Sequence, residues 1–362
     1  MSETNATTRV LVTGASGYVG GHCVIQLLKQ GYKVRGTIRS LRNERTVARL
    51  RALVPEASER LELVEADLTK DQGWPEAVAG CRYVLHVASP FPLDIPKDED
   101  ELVRPAVDGT RRVLEACAGT AGGVERVVLT SSVAAVAFGH RGRDGEVLTE
   151  KDWSVIERCT PYPKSKTLAE RAAWEFVKSQ SAGRRFELAV INPGFILGPV
   201  LDSAVGSSGT VIRRLMIRDL PACPAIGFAV VDVRDVASAH ILAMTKPEAA
   251  GNRYICAGDH YWMQDLAREL EREFGPLGYR IPTGRLPYWL MWIVARFDST
   301  VRAALQFVGR REEVSHARLT SDLGWSPRPV RETLSDMGHS MIAHGVVPTT
   351  ELYERSLSKR AA

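Results

Sequence analysis

Short runs of apolar, often β-branched residues recur along the first half of the chain, each closed by glycine, proline or a polar cluster. "RVLVTG" (9–14), "KVRGTIR" (33–39), "LELVEAD" (61–67), "YVLHVAS" (83–89), "RVVLTSS" (126–132) and "ELAVINP" (187–193) predict strands. Between them the apolar spacing becomes that of one helix face. "GGHCVIQLLKQG" (20–31), "RTVARLRAL" (45–53), "DELVRPAVDGTRRVLEACAG" (100–119) and "KSKTLAERAAWEFVKSQ" (164–180) predict helices. Strands that alternate with helices predict a parallel sheet covered on both faces. From about residue 194 the alternation thins into "NPGFILGPVLDSAVGSSG". One further strand–helix unit, "AVVDVRDVASAHILAM" (229–244), and a strand, "NRYICAG" (252–258), precede a mostly helical stretch over 260–345. Within it the apolar run "PYWLMWIV" (287–294) is too short to span a bilayer and reads as a buried helix or a pocket wall.

Composition changes this picture little. The 362 residues carry a net charge of +4 and no lysine- or arginine-rich block, so charge points to no nucleic-acid partner. The six cysteines stand singly, which argues against a zinc site, and no metal is expected. The first residues, "MSETNATTRVLVTG", have no secretory pattern. Free thiols and no membrane segment make the reducing cytoplasm the expected location.

The first chemical signal is "VLVTGASGYVGG", where Gly14, Gly17 and Gly20 lie between a strand and a helix. Gly14 permits a tight turn, Gly17 lets the backbone approach a pyrophosphate, and Gly20 lets the helix pack closely. The helix N-terminus then offers N–H groups to phosphates. Ser16, Tyr18 and Val19 belong to the same turn and are expected along the cofactor. The expected architecture is a Rossmann-type doubly wound parallel sheet over residues 8–193, with segments near 228–258 returning to it. Residues 194–227 and 259–345 form a smaller, discontinuous C-terminal lobe that faces the substrate.

The choice of dinucleotide follows from the second strand. Residues 21–43 contain no Asp or Glu, although NAD enzymes of this design place an acid there for the ribose hydroxyls. The strand ends "GTIRS", with Arg39 at the expected ribose position. A guanidinium suits a 2′-phosphate, so NADP(H) is the expected cofactor. Arg42 and Arg45 either assist or form a solvated helix face. Asp67, before Leu68 at the end of the third strand, either caps the next helix or touches the cofactor.

Tyr162 and Lys166 lie four residues apart at a helix start crowded by Pro161 and Pro163, so they share one face. A free phenol has a pKa of about 10 and needs help to exchange protons near neutrality. A neighbouring ammonium lowers that value, and such a tyrosine can protonate an oxygen during carbonyl reduction. Ser132, thirty residues before Tyr162 at a strand end, is positioned to bond the carbonyl oxygen; Ser131 and Ser132 otherwise cap that end. His22, His86 and His240 fall within predicted elements and are expected to be packed and hydrogen-bonded, not catalytic.

These motifs together resemble the extended short-chain dehydrogenase/reductases. The chain is most similar to the branch with dihydroflavonol reductases, cinnamoyl-CoA reductases and microbial aldehyde or ketone reductases. The likeness rests on "VTGASGYVG", "GTIRS", "EADL", "VLHVASPF", "PAVDGT", "VVLTSS", "YPKSKTLAERAAWEF", "INPGFILGP", "DVRDVASAHILA", "GNRYICAG" and "LGWSPRP", from about residue 9 to 328. It implies that Ser132, Tyr162 and Lys166 are the catalytic group and that Lys166 also binds the nicotinamide ribose. It further implies Asp67 and Leu68 against the adenine, and Val87, Ala88 and Ser89 along the cofactor. Pro193, Gly194, Phe195 and Ile196 would lie beside the nicotinamide, and Ser208 near the phosphates. Two residues that grip flavonoid hydroxyls in dihydroflavonol reductases correspond here to Ala137 and Ala229, and "NWYCYGK" of cinnamoyl-CoA reductases is "CTPYPKSK" here. The expected activity is therefore NADPH-dependent reduction of small apolar aldehydes or ketones, with Phe91, Phe138, Trp289 or Trp292 as candidate pocket groups. The alternative is a 3β-hydroxysteroid-type dehydrogenase, or a nucleotide-sugar epimerase or dehydratase. The partner is a small-molecule carbonyl compound, and the chain is expected as a monomer or homodimer.

Overall fold

The computed structural model describes residues 3–89, 98–120, 123–140, 142–143, 145–181, 186–296, 305, 308–311 and 313–361. Its strands are β1 (Arg9–Thr13), β2 (Lys33–Ile38), β3 (Leu61–Glu65), β4 (Tyr83–His86), β5 (Arg126–Thr130), β6 (Val147–Leu148), β7 (Glu187–Pro193), β8 (Phe195–Leu197), β9 (Gly227–Asp232), β10 (Arg253–Cys256), β11 (His260–Trp262) and β12 (Glu313–Val314). The helices are α1 (Glu3–Thr7), α2 (Tyr18–Lys29), α3 (Glu44–Arg51), α4 (Trp74–Val78), α5 (Asp100–Gly119), α6 (Pro161–Ser179), α7 (Ser207–Met216), α8 (Val233–Thr245), α9 (Met263–Phe274), α10 (Tyr288–Val294), α11 (Ala317–Leu323), α12 (Val330–Ala343) and α13 (Glu351–Ala361).

Seven strands form one sheet in the order β10-β7-β5-β4-β1-β2-β3, and every pairing in it is parallel. Side chains alternate along each strand, so β1 supplies both faces at once. Val10 and Val12 enter a core with Leu27 of α2 and Val236 and Ala239 of α8. Leu11 enters the opposite core with Trp74 of α4, Val113 and Leu114 of α5 and Ala173 of α6. Strands apolar on both faces are what a doubly covered parallel sheet requires. The reversal of strand order between β1 and β4 leaves a crevice at the carboxyl ends of those strands, where such sheets bind ligands.

A third core unites Leu197, Ile212, Leu215, Leu266, Leu270, Phe274, Met337 and Met341 from β8, α7, α9 and α12. Beside it β9 pairs with β8 in parallel and with β11 in antiparallel fashion. Thus β9, read from the sequence as part of one more strand–helix unit, joins this small sheet. The edge of the large sheet beyond β7 is taken by β10, through Arg253 opposite Val190.

The run 287–294 also departs from expectation. It forms α10, but Tyr288, Trp289, Trp292 and Ile293 are exposed and Met291 is its buried residue. Trp292 lies under the Arg296 guanidinium, 4.3 Å away. All six cysteines are unpaired; five are buried and Cys159 is half-buried. Among the described residues no helix is long and apolar enough to cross a membrane, and no cluster of ligating side chains could hold a metal.

Candidate active site

The glycine turn is built by contacts that forbid larger residues. Gly14 has φ +66°, a left-handed conformation, and a Cβ on it would stand 3.0 Å from Ala88 Cβ. A Cβ on Gly20 would stand 2.2 Å from the Gly14 carbonyl oxygen. Gly17 is the residue before α2, and its N–H donates to that same carbonyl at 2.9 Å. The first turn of α2 carries no acidic side chain, so its positive end is uncompensated. A bare backbone turn leading into an uncompensated helix start fits a pyrophosphate. Two predicted members of the turn also have structural tasks. The Tyr18 hydroxyl donates to the Gly198 carbonyl at 2.6 Å. The Ser16 carbonyl accepts from Arg49, which bridges to Asp202 at 2.8 Å. Val19 packs against the first core.

Arg39 follows β2 and is exposed, as are Arg42 and Arg45. Asp67 accepts from both the N–H and the hydroxyl of Thr69 at 2.9 Å, so it closes a local turn, while the residue before the next helix is Gly73. That N–H holds its carboxyl below the ordinary range, with a lesser pull from Arg39. Leu68 packs on Gly109 of α5 and lends its carbonyl to Arg112 at 2.9 Å.

Beyond the carboxyl end of β5 two of the three predicted catalytic residues touch, and the third stands one helical turn away. Pro161 opens α6 where no N–H is needed. Tyr162, half-buried, hydrogen-bonds the Ser132 side chain. Ser132 lies two residues beyond β5, and its Oγ also accepts from Ala134 N–H at 3.1 Å, which is the capping alternative. Lys166 reaches past them and donates to Ser89 Oγ at 3.0 Å. One expectation fails in the free protein. Burial pushes the Tyr162 phenol above its ordinary value, and the Ser132 bond only partly opposes it. The ammonium itself is weakened, because burial pulls Lys166 down to about 8 against the field of Glu170.

The remaining predicted residues lie just after β4 and along the chain from the end of β7 through β8 to α7. Val87, Ala88 and Ser89 follow β4, and the Ala88 N–H donates to Thr13 Oγ1 at 3.0 Å. Pro193 ends β7. Gly194 sits so close to the next strand that a Cβ would be 2.1 Å from the Ala229 carbonyl oxygen. Phe195 stacks on Phe228 at 4.1 Å, and the Ile196 carbonyl accepts from Ser208 Oγ at 2.6 Å. Ala137 and Ala229 share a buried cluster with Ile255 and Ala257, against which Phe138 packs. Phe91 lies outside the described residues, and the exposure of Trp289 and Trp292 removes them as buried wall. His22 bonds the Pro199 carbonyl, His86 bonds Thr13, and His240 bonds Thr130 and the Val236 carbonyl. Burial keeps His86 and His240 neutral, at about 3 and about 4.

Sequence reasoning missed a carboxylate directly behind this group. Glu170, one turn after Lys166, is fully buried with Asn192 and Arg253. A visible signal existed: it is the one acid among the buried small residues of α6, beside Ala169, Ala172 and Ala173.

Comparison with known proteins agrees with this geometry. Residues 10–257 match the NAD dependent epimerase/dehydratase family. Cinnamoyl-CoA reductase CAD2 of Medicago truncatula is 40% identical over 260 residues, 70% of this chain and 78% of that protein. The (2S)-flavan-3-ol-forming anthocyanidin reductase of Vitis vinifera is 33% identical over 320 residues, 84% of this chain and 91% of that protein. The crystal structure of yeast methylglyoxal/isovaleraldehyde reductase Gre2 complexed with NADPH superposes with a TM-score of 0.77 at 29% identity, covering 94% of this chain and all of that one, 100%. A glycine turn, a Ser–Tyr–Lys group and these matches lead to one assignment: the chain belongs to the NAD-dependent epimerase/dehydratase family, the extended short-chain dehydrogenase/reductases.

Proposed function

We propose that this protein is an NADPH-dependent reductase that converts small apolar aldehydes or ketones to alcohols, with Tyr162 as the proton donor. The observation that carries the reading is the hydrogen bond between Tyr162 and Ser132 at the carboxyl ends of the central strands, with Lys166 one turn away. The glycine turn of Gly14, Ser16, Gly17, Tyr18, Val19 and Gly20 would hold the pyrophosphate at the start of α2. Arg39 would meet the 2′-phosphate, Asp67 and Leu68 the adenine, and Val87, Ala88 and Ser89 the middle of the cofactor. Pro193, Gly194, Phe195 and Ile196 would flank the nicotinamide, with Ser208 nearer the phosphates. When bound, NADPH supplies the hydride for the carbonyl carbon.

The side chains manage the oxygen. The Ser132 hydroxyl orients the carbonyl oxygen by a hydrogen bond. The Tyr162 hydroxyl gives its proton to that oxygen as negative charge grows on it. A phenol held protonated by burial suits the reductive direction, because the donor starts loaded. Lys166, charged near neutrality, stabilises the phenolate left behind. Residues 194–227 and 259–345 would cover the substrate, and Ala137 and Ala229 offer no hydrogen-bonding side chain to the hydroxyls of a flavonoid. Tyr162→Phe is expected to lower turnover of aldehydes and ketones by about 10²- to 10⁴-fold. NADPH binding, followed by its fluorescence, should survive. Turnover at the parental rate in that variant would refute the donor role.

A further inference from the structure

Behind Tyr162 and Lys166 the structure buries a charge that the reaction itself does not touch. Glu170 Oε2 accepts from Ser131 Oγ at 2.6 Å, from Asn192 Nδ2 at 2.8 Å and from Arg253 Nη2 at 3.0 Å. Its Oε1 lies 2.7 Å from Arg253 Nε and accepts from Trp174 Nε1 at 3.3 Å. These donors come from the residue after β5, from β7 and β10, and from α6 itself, so distant parts of the chain converge on one carboxylate. Asn192 uses the same amide to donate to the Ser132 carbonyl at 3.1 Å. The Arg253 guanidinium is stacked 3.8 Å over the Trp153 ring and bonded to the Asp152 carbonyl, which fixes it. Lys166 and Glu170 line one cavity of about 20 Å³ together with Ser89, Thr130 and Ser131. An isolated buried ammonium is costly, and an acid one helical turn away offsets that cost.

We propose that Glu170 is a positioning residue for the proton chemistry at Tyr162: from behind α6 it keeps Lys166 charged and fixes the backbone that carries Ser132. The inference rests on the reading of Tyr162 as proton donor. The groups facing Lys166 are Glu170 on its own helix, Ser89 after β4 and the neutral His86 of β4. Those facing Glu170 are Ser131, Asn192, Arg253 and Trp174. His86 is neutral and the hydroxyls carry no charge, so Glu170 is the anion that opposes loss of the Lys166 proton by burial, partly offset by the Arg253 guanidinium on the same carboxylate. Removing the anion moves that loss to lower pH.

The test is an NMR titration of lysine side chains in the free protein, with Lys166 assigned through Lys166→Arg, beside the pH profile of carbonyl reduction. In Glu170→Gln, which keeps the shape, the Lys166 midpoint should fall by about one pH unit. The high-pH limb of turnover should move the same way. Ser131→Ala removes one hydrogen bond and leaves the charge, so its Lys166 midpoint should stay at the parental value; a merely structural hub would move neither midpoint. An unmoved midpoint in Glu170→Gln overturns the proposal. Should that variant not fold, Glu170→Gln is placed on Arg253→Met, and the Lys166 midpoint of the double variant must lie below that of Arg253→Met alone or the proposal fails. An inactive Tyr162→Phe with an unmoved Glu170→Gln midpoint removes the positioning role alone, whereas a fully active Tyr162→Phe removes the reading beneath it.

Discussion

The turn between β1 and α2 and the helix α10 are both short and rich in apolar or small residues, and the protein treats them in opposite ways. In the first, Val10, Leu11 and Val12 are fully buried, and the glycines are so crowded that one added methyl would meet backbone at 2.2 Å. In the second, Tyr288, Trp289, Trp292 and Ile293 are 58%, 63%, 49% and 43% exposed. Hydrophobic content is therefore a poor guide to tolerance. What matters is whether partners from distant strands already occupy the space.

The contrast can be broken by substitution. Gly20→Ala forces a Cβ into the Gly14 carbonyl, and we expect a loss of about 3 kcal/mol or more together with NADPH binding. A thermal melt with a cofactor titration measures both, and a parental melt would mean that the turn opens at little cost. Arg39→Ala alters the exposed rim of the same region, where nothing is crowded. NADPH affinity should fall about tenfold to a hundredfold with folding intact, while NADH affinity barely changes. Equal losses for the two cofactors would remove the 2′-phosphate contact. The smallest effect belongs to α10: Trp289→Ser should alter unfolding free energy by no more than about 0.5 kcal/mol in urea. A larger loss would reveal a packing role that its exposure does not suggest.

The same contrast explains what the sequence could convey. Strands β1, β2, β4, β5 and β7, and the helix Asp100–Gly119, were legible because their signals are local: a run of β-branched residues, a periodic face, a stopping glycine. Ser132, Tyr162 and Lys166 were legible as an ordered set of motifs at element ends. Glu170 was not recognised, because its meaning depends on Arg253, 83 positions later, and on Asn192 of a different strand. The pairing of β9 was hidden for a related reason, since β8 and β11 fix it and its own run names neither neighbour. The exposure of α10 was hidden because an apolar run does not state whether anything lies against it. Local patterns name the elements, whereas partners are a property of the assembled chain.

The distribution of thiols gives the experimenter a gift of selectivity. Cys23, Cys81, Cys117, Cys223 and Cys256 are sealed in the interior, and burial pushes Cys23 up to about 12 and Cys223 up to about 11. Cys159 alone is half-buried, three residues before Tyr162 and at the mouth of α6, and although burial and Glu157 raise its thiol too, it is the one a reagent can reach. Alkylating dyes applied to the folded protein will therefore mark one address without any engineering, and a fluorophore there will register what enters beside the phenol.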